Sequence, residues 1–519
     1  MSASREEQLQ QENRKLTQEN VSLLEEQIRL REEIALLRRK LDALARRIFG
    51  RSSETLSEAQ LEFLFQEART PGPAMGKGSS PEVTEAEPPA RKKAQQRRMR
   101  TPEDLPVIEE VLVPEQVKVQ PEAWRRIGEE VSQQLDYEPA RFLWRRTVRP
   151  KYVQRGKVDA APVIAPLPEK LQERGLIAPG LLAQILVGKF CDHLPFYRQQ
   201  SIYWSRHGVW LPRQSMARWT DLAAEWLRPI YNAVRASVTQ GSYLQVDETP
   251  IRYLEPGHGQ ARLGYLWVCH RPGTDAVYHW ATSRAAACLE KIIPAEFNGT
   301  IQSDAFSAYP AFAKRRAEGA IILAGCWAHV RRLFYEAQAE APQLIAWILR
   351  QIRHLYKIES RLRHQRAGPV LREAVRSQQS RPLLDRLYRL FFALKTKRRI
   401  LPQSLTGKAL DYALGQWHAL QVYVSNGLVE IDNNLVENAI RPTALGKKNW
   451  LFFGHAEAGE RSAIIYTLIE SCRRRGIDPY AYLRDVLTRL PYSTNWQIKD
   501  LTPEAWAKAQ PPAPLAAAA

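Results

Sequence analysis

Leucine occupies every seventh position at the start of this chain, and this repeat restricts the possible folds more than any other feature. The leucines in register are Leu9, Leu16, Leu23, Leu30, Leu37 and Leu44. A seven-residue apolar repeat held over several heptads forms the seam of a coiled coil. Asn13 and Asn20 fall on the same seam, where buried asparagine favours a parallel dimer. We therefore predict a leucine-zipper coiled coil over residues 1–50 and a homodimer; a lone amphipathic helix is the alternative.

A linker with a basic end follows over residues 51–100. The prolines and glycines between positions 71 and 78 and the Ser-Ser-Pro run at 79–81 cannot build an apolar core. The stretch ends in two clusters of cations, Arg91-Lys92-Lys93 and Arg97-Arg98-Met99-Arg100. We predict that Arg97, Arg98 and Arg100 contact DNA phosphates without reading sequence, and a solvated charge run without a partner is the alternative.

The charge of the chain indicates a polyanionic partner. Its formal net charge is +19, from 75 Lys and Arg against 56 Asp and Glu, and nucleic acid is the commonest partner of a protein that basic. The 519 residues include five scattered cysteines without a CxxC pair, which argues against a disulfide framework. The sequence shows no apolar signal segment and no run long enough for a membrane helix. We therefore predict a soluble cytoplasmic protein with no membrane partner.

Two predicted regions precede the candidate catalytic domain. Residues 101–165 have β character at 107–113 and 142–153 and should form a small strand-rich module. Residues 166–240 are helical in pattern, and the second of two predicted helices begins after Pro212. Arg213 and Arg218 lie on that second helix, as a DNA-reading helix requires. A helix-turn-helix DNA-binding region is one interpretation, and an ordinary pair of consecutive helices is the other.

The period of the apolar residues changes from helical to alternating at residue 241. Strand candidates at 243–253, 264–269 and 276–282 are separated by Pro-Gly turns, and strands at 299–303 and 321–325 then alternate with helices. Three antiparallel strands followed by alternating helices and strands is the order of a ribonuclease H-like α/β fold. We predict such a catalytic domain over 241–460 with an all-helical insertion at about 330–425. Residues 461–519 should hold C-terminal helices, with one short helix after 479, and a disordered tail.

Three carboxylates occupy positions where they could share a divalent cation. Asp247 lies within the first strand and Asp304 at the end of the fourth, and these strands are central neighbours in such a fold. Glu437 follows the insertion, on one helical face with Asn434 and Arg441. Each acid alone is more often a cap or a surface residue, but the ordered set favours catalysis. A divalent cation would relieve the repulsion of close carboxylates, and hard oxygen ligands suit Mg²⁺ or Mn²⁺.

At these residues the chain resembles the insertion-sequence-66 family of bacterial DDE transposases. The matching stretches are VDETPIRYL at Asp247, SDAFSAYP at Asp304, GCWAHVRRLF at Cys326 and IDNNLVENAIRPTALGKKNWLFFGH at Glu437. The resemblance implies a ribonuclease H-like catalytic domain whose DDE triad is Asp247, Asp304 and Glu437, with two Mg²⁺ or Mn²⁺ ions as the cofactor.

The resemblance bears on zinc in two places. Cys326 and His329 match a Cys-x-x-His feature of insertion-bearing DDE transposases. We predict structural roles for both, a packed thiol and a histidine at a helix start, because such a pair is only half a zinc site. Family members usually carry a cysteine-based zinc module after the linker, but residues 117–126 contain no cysteine. Zinc is therefore not expected.

The family mechanism would join DNA as well as cut it. One ion activates a water and the other stabilises the leaving 3′ oxygen, and the freed 3′-OH then attacks target DNA. Arg441, Lys447 and Lys448 would hold the DNA backbone, and Trp450 would either stack on a base or pack in the core. The expected partners are double-stranded DNA (element ends and target), a second copy of the chain, and accessory proteins of the element. The alternatives are a non-catalytic dimeric DNA-binding regulator and a hydrolytic nuclease of the same fold.

Overall fold

The computed structural model describes residues 101–138, 141–155, 161–173, 175–255, 257–397 and 400–509. The predicted coiled coil over 1–50 and the basic arm with Arg97, Arg98 and Arg100 lie outside the described residues, as does the predicted tail from 510. In the part of the chain that is described, no helix has both the length and the apolar character needed to cross a membrane.

A sheet of four strands forms first. Its elements are β1 (Val107–Val111), helix α1 (Glu115–Val119), β2 (Trp124–Glu138), β3 (Arg141–Gln154) and β4 (Val163–Ile164). The strand order is β1-β3-β2, with β1 parallel and β2 antiparallel to β3, and β4 pairs with β3. The strand-rich prediction holds for β1 and β3. The sequence pattern did not predict β2. The first two thirds of this strand are polar and mostly exposed, and hydrogen bonds to β3 rather than an apolar face hold it in place.

Three helices follow, where the sequence pattern predicted two. They are α2 (Pro179–Phe190), α3 (Phe196–His207) and α4 (Arg213–Thr239). The buried carboxylate of Asp136 in β2 accepts the backbone N–H of Leu181 at 2.9 Å and so caps α2. The unpredicted α3 begins after Pro195 and ends at Gly208, which adopts a left-handed conformation with φ of 64°.

The second sheet has six strands and contains the central part of the core. Its elements are β5 (Tyr243–Tyr253), β6 (Arg262–His270), β7 (Ala276–Ala281), α5 (Ala287–Ile292), β8 (Gly299–Gln302), α6 (Ala308–Ala313), β9 (Ile321–Ala324) and, after the insertion, β10 (Phe452–Phe453). The order is β7-β6-β5-β8-β9, with β10 paired to the far end of β5. β5, β6 and β7 are antiparallel, whereas β8 and β9 run parallel to β5. The predicted central pairing of the first and fourth strands is therefore observed.

A group of helices with its own apolar core interrupts the chain after β9. These helices are α7 (Trp327–Glu336), α8 (Pro342–His364), α9 (Pro369–Val375), α10 (Arg381–Thr396), α11 (Leu405–Gly415) and α12 (Trp417–Ser425). Trp327, Phe334 and Phe391 are fully buried in this second core. The described residues of 330–425 include no strand.

The chain then returns to the main core. The last helices are α13 (Asn434–Trp450), α14 (Glu457–Arg474), α15 (Pro479–Arg489) and α16 (Pro503–Ala509). The expected single short helix after 479 is wrong, since two are present. The expected boundary at 460 falls inside α14, which packs on β7 and α4. One apolar cluster runs from Leu135 to Leu501, so the helical region 166–240, the central sheet and the C-terminal helices share a core.

Candidate active site

Parallel pairing brings Asp247, within β5, level with Asp304, just after the end of β8. Gln245 of β5 is the register partner of Gln302 of β8. Asp247 and Asp304 each lie two residues beyond that pair. The two carboxylates are therefore neighbours where β8 ends, near enough for Asp304 to raise the pKa of Asp247.

Hydrogen bonds to β5 hold the start of α13, the helix that carries Glu437. The side-chain amide of Asn433 donates to the Val246 carbonyl at 3.2 Å, immediately before Asp247. Gln245 donates to the carbonyl of Asp432 at 2.9 Å. The Asp432 carboxylate accepts the backbone N–H of Asn434 at 3.2 Å at the helix start. Asn433 is the N-cap residue, but its side chain makes no capping bond and bonds to the strand instead.

A buried set of polar side chains lies beneath these acids. Gln302 donates to the carbonyls of Gly325 and Glu430 at 2.9 and 2.8 Å. Its oxygen accepts from Gln245 at 3.0 Å and from the Tyr243 hydroxyl at 2.5 Å. Both glutamines are fully buried. Because unsatisfied buried amides are costly, this network fixes the spacing of β5, β8 and the loop that leads into α13.

A cleft of about 480 Å³ opens above Asp247. One face of α13 forms a wall, with Asn434, Glu437 and Arg441 at the spacing that the sequence predicted, and α7 contributes Arg332. Asp304 contacts Arg284 instead, with Arg284 Nη2 3.9 Å from its Oδ2. The site therefore brings acids and cations together, as contact with a phosphodiester and a cation would require.

The pKa of Asp247 depends on its burial and on three neighbouring carboxylates. Burial first, and then the nearby charges of Glu248, Asp304 and Glu437, raise the pKa of Asp247 to about 8. The hydrogen bond from the Glu248 backbone N–H opposes this shift. Asp304 and Glu437 lie 57 and 190 positions from Asp247 in sequence, yet both are near enough in space to raise its pKa.

Three supporting residues were not predicted from sequence. The buried Glu248 carboxylate accepts a hydrogen bond from the Tyr309 hydroxyl at 2.7 Å and pairs with Arg284 at 2.5 Å. The Arg284 guanidinium stacks on Phe306, 3.4 Å from the ring centroid, and reaches toward Asp304. Burial raises the pKa of Glu248, while Tyr309 and Arg284 lower it. The only sequence signal was a second acid directly after Asp247.

Family comparisons match the part of the chain that contains this site. The sequence profile described as the transposase IS66 family matches residues 174–461, more than half of the chain, and the IS66 C-terminal element matches residues 467–503. A third profile, transposase C of IS166 homeodomain, matches residues 29–109. The chain belongs to the IS66 transposase family.

Relatives of this IS66-family transposase match along most of their length. The uncharacterized protein y4qI of Sinorhizobium fredii is 34% identical over 465 residues, which cover 85% of this chain and 83% of the relative. The uncharacterized protein y4jD of the same organism is 34% identical over 402 residues, covering 74% and 76%. These matches confirm the predicted family. Membership of a transposase family implies that the chain binds DNA.

Cys326 and His329 of this IS66-family chain lie beside Glu437. Candidate ligand atoms of the three residues are within 4.8 Å of one another, and His329 Nδ1 is 3.9 Å from Glu437 Oε1. Burial raises the pKa of the Cys326 thiol to about 12, and its sulfur accepts the Asn433 backbone N–H at 3.3 Å. The Cys326 side chain is buried, whereas His329 lines the cleft, which the sequence did not predict.

The candidate DNA-contacting residues of this transposase differ in whether their side chains already make contacts within the protein. Arg441 lines the cleft, and Lys448, Arg213 and Arg218 are exposed. Lys447 is half-buried, and its Nζ donates to the Thr249 hydroxyl at 3.0 Å and to the Pro250 carbonyl at 3.2 Å. Trp450 stacks on Phe453 with ring centroids 4.8 Å apart. Lys447 and Trp450 therefore have structural contacts of their own, and the core-packing alternative is the better one for Trp450.

Proposed function

We propose that this chain is a DDE transposase whose ribonuclease H-like domain cuts and joins DNA at Asp247, Asp304 and Glu437. The observation that carries the proposal is the convergence of the three acids. Two of them follow register-paired residues of adjacent parallel strands, and the third lies in a helix bonded to the first strand. The order of β5 to β9, three antiparallel strands and then two parallel ones, supports the fold assignment.

The donor atoms at this edge fit divalent metal ions. Three carboxylates supply hard oxygen ligands, which suit Mg²⁺ or Mn²⁺. Burial first and the neighbouring carboxylates second raise the pKa of Asp247, and a bound divalent cation would favour its charged form. Two such ions, when bound, would activate the attacking oxygen and stabilise the leaving oxygen. Asp247, Asp304 and Glu437 would hold them.

The remaining residues of the cleft would position DNA. Arg441 and Arg332 lie beside Glu437 and Asp247, where their guanidinium groups can bind phosphate oxygens next to the scissile bond. Asn434 and Asn438 add polar groups along the same helical wall. We further propose that Lys448 and the exposed Arg213 and Arg218 contact the DNA backbone farther out, and that the N-terminal heptads pair two copies so that two element ends are held together.

The test is Mg²⁺-dependent strand transfer on DNA that carries the element's own ends, comparing the unaltered chain with Glu437→Gln. We expect loss of joined product by roughly 100-fold or more, because a missing ligand costs several kcal/mol of transition-state stabilisation, while DNA binding is retained. Glu296→Gln is the matched control, since Glu296 is exposed and does not line the cleft.

Each outcome separates the proposal from its alternatives. Equal product from Glu437→Gln and the unaltered chain would remove Glu437 from the mechanism. Cut ends without joined strands would indicate a hydrolytic nuclease. Binding without either product, with accessory proteins of the element supplied, would indicate a regulator.

A further inference from the structure

The exposed face of α8, in the helical insertion, carries a row of basic side chains. Its members, hereafter the α8 basic face, are Arg350, Arg353, His354, Lys357, Arg361 and His364, and all six are exposed. At 100° per residue these positions fall within an arc of about 100°. They extend over 14 residue steps, or about 21 Å along the helix axis. The row is therefore one continuous stripe rather than scattered surface charge.

No acid of α8 itself lies on this stripe. The single acid of α8 is Glu359, which is fully buried and bound to Arg376 on its inner side. Arg363, on a different side of α8, reaches Glu430. Within the described part of the chain, no carboxylate forms an ion pair with Arg350, Arg353 or Lys357. Residues 330–425 as a whole hold 18 Lys and Arg against 6 Asp and Glu, so the insertion is the source of much of the protein's positive charge.

Two grooves lie along the stripe. One, of about 560 Å³, is lined by Arg350 and Arg353 together with Arg331 and the exposed Tyr335 of α7. The other, of about 510 Å³, is lined by Lys357 and Arg361, among other residues. These grooves give the cations a concave setting, which concentrates their field on an elongated anion better than a flat surface does.

Helix α7 contributes to both the stripe and the candidate active site. Its consecutive residues Arg331 and Arg332 line different surfaces: the first lines the α8 groove and the second lines the cleft with Asp247 and Glu437. A strand that bound Arg332 on leaving the cleft would therefore have a second arginine of the same helix beside it, on the side of the α8 basic face.

We propose that the α8 basic face binds the phosphate backbone of double-stranded DNA on its way into the catalytic cleft. The inference rests on the proposed function for the identity of the polyanion, but the surface lies outside the proposed catalytic machinery. A stripe of about 21 Å matches roughly six base pairs at 3.4 Å each. Arg and Lys on phosphates fix position without reading bases. This surface therefore supplies affinity and orientation, and not recognition of the element's end sequence.

The test compares the full chain with the triple variant Arg350→Gln, Arg353→Gln, Lys357→Gln. The affinity for a fluorescent DNA duplex is measured by anisotropy over a series of salt concentrations. Loss of three phosphate contacts should lower the slope of log K against log salt by about 2.7 and weaken binding roughly 100-fold at 0.15 M salt. Glutamine keeps the helix propensity of the replaced residues, and thermal unfolding verifies that the variant is folded.

A matched control removes the same charge elsewhere. Arg228→Gln, Lys291→Gln, Lys499→Gln neutralises three exposed cations outside the insertion, and its affinity and salt slope should stay close to those of the unaltered chain.

The results distinguish this inference from the proposed function. Equal affinity and equal salt slope in the two triple variants would overturn the role of the α8 basic face, while cleavage by the unaltered chain would leave the transposase proposal intact. If the α8 variant lost binding only to an RNA duplex of the same length, the occupant would be RNA and the proposal would be wrong. If the unaltered chain bound no DNA, the proposed function itself would fail.

Discussion

Replacing Arg376 by methionine should loosen the helical insertion more than any single change on its surface. Arg376 is fully buried, and its Nε and Nη2 bind both oxygens of Glu359 at 2.8 and 2.7 Å. Its Nη1 donates to the carbonyls of Tyr423 and Asn426 at 2.7 and 3.1 Å. The variant leaves Glu359 charged and fully buried, with only Arg372 at 3.3 Å as a partner. Removing one partner of such a pair costs about 3–5 kcal/mol.

Two measurements suit this prediction, because a chain of this size is not a simple two-state system. Native-state hydrogen exchange reports local opening of α8 and α12, where protection should fall by the free energy given above. Thermal unfolding should shift downward by roughly 6–20 °C, at about 2–4 °C for each kcal/mol. The sheet around β5 should lose little protection, because its buried apolar residues other than Tyr243 and Ala324 belong to the other core.

A double variant tests the cause. Arg376→Met combined with Glu359→Leu removes the charge together with its partner, so it should be less destabilised than Arg376→Met alone. The coupling between the two positions should exceed about 1 kcal/mol, well above the few tenths typical of independent sites. Simple additivity of the two single changes would refute the argument from a buried, uncompensated charge.

Three further predictions concern the sheet domain. Gly459→Ala should lower stability by about 1–3 kcal/mol because the new methyl group overlaps the Trp280 ring, and thermal unfolding should show partial recovery on adding Trp280→Leu. Tyr309→Phe should cost about 1.5–3 kcal/mol by removing the hydroxyl bonded to the buried Glu248; an unchanged melting temperature would contradict this. With a pKa of about 8, the folded protein keeps a proton on Asp247 that the unfolded chain releases near pH 4, so stability in EDTA should fall between about pH 4 and 8. Asp247→Asn should flatten that slope, and identical pH profiles would count against the raised pKa.

The sequence predicted those strands and helices whose own pattern of apolar and polar residues is sufficient to specify them. Alternation of apolar and polar residues predicted β5 at the bounds observed, and the helical spacing of Asn434, Glu437 and Arg441 predicted the wall of the cleft. β2 was missed because its charged residues have no apolar face, and its stability comes from the partner strand β3. Such dependence on a distant partner has no local signature.

The supporting residues of the site were beyond sequence reasoning for a related reason. Gln245 and Gln302 look like ordinary solvent-facing residues of a strand, yet they are the buried centre of the network below the acids. Arg284 and Tyr309 lie 36 and 61 residues from Glu248, which they hold. Long-range polar contacts of this kind depend on which strands and helices pack together, and the pattern of a single sequence does not reveal them.

The separation of the acids along the chain has a consequence for how the protein is made. The hydrogen bonds that seat α13 on β5 join residues 187 positions apart, with the whole insertion between them. During translation, both aspartates and their strands leave the ribosome long before Glu437 is synthesised. Under the proposed mechanism, a nascent or prematurely terminated chain lacks Glu437 and cannot cleave. A stop codon or frameshift anywhere in the insertion would therefore abolish cleavage, and it would also remove the C-terminal helices that complete the core around the sheet.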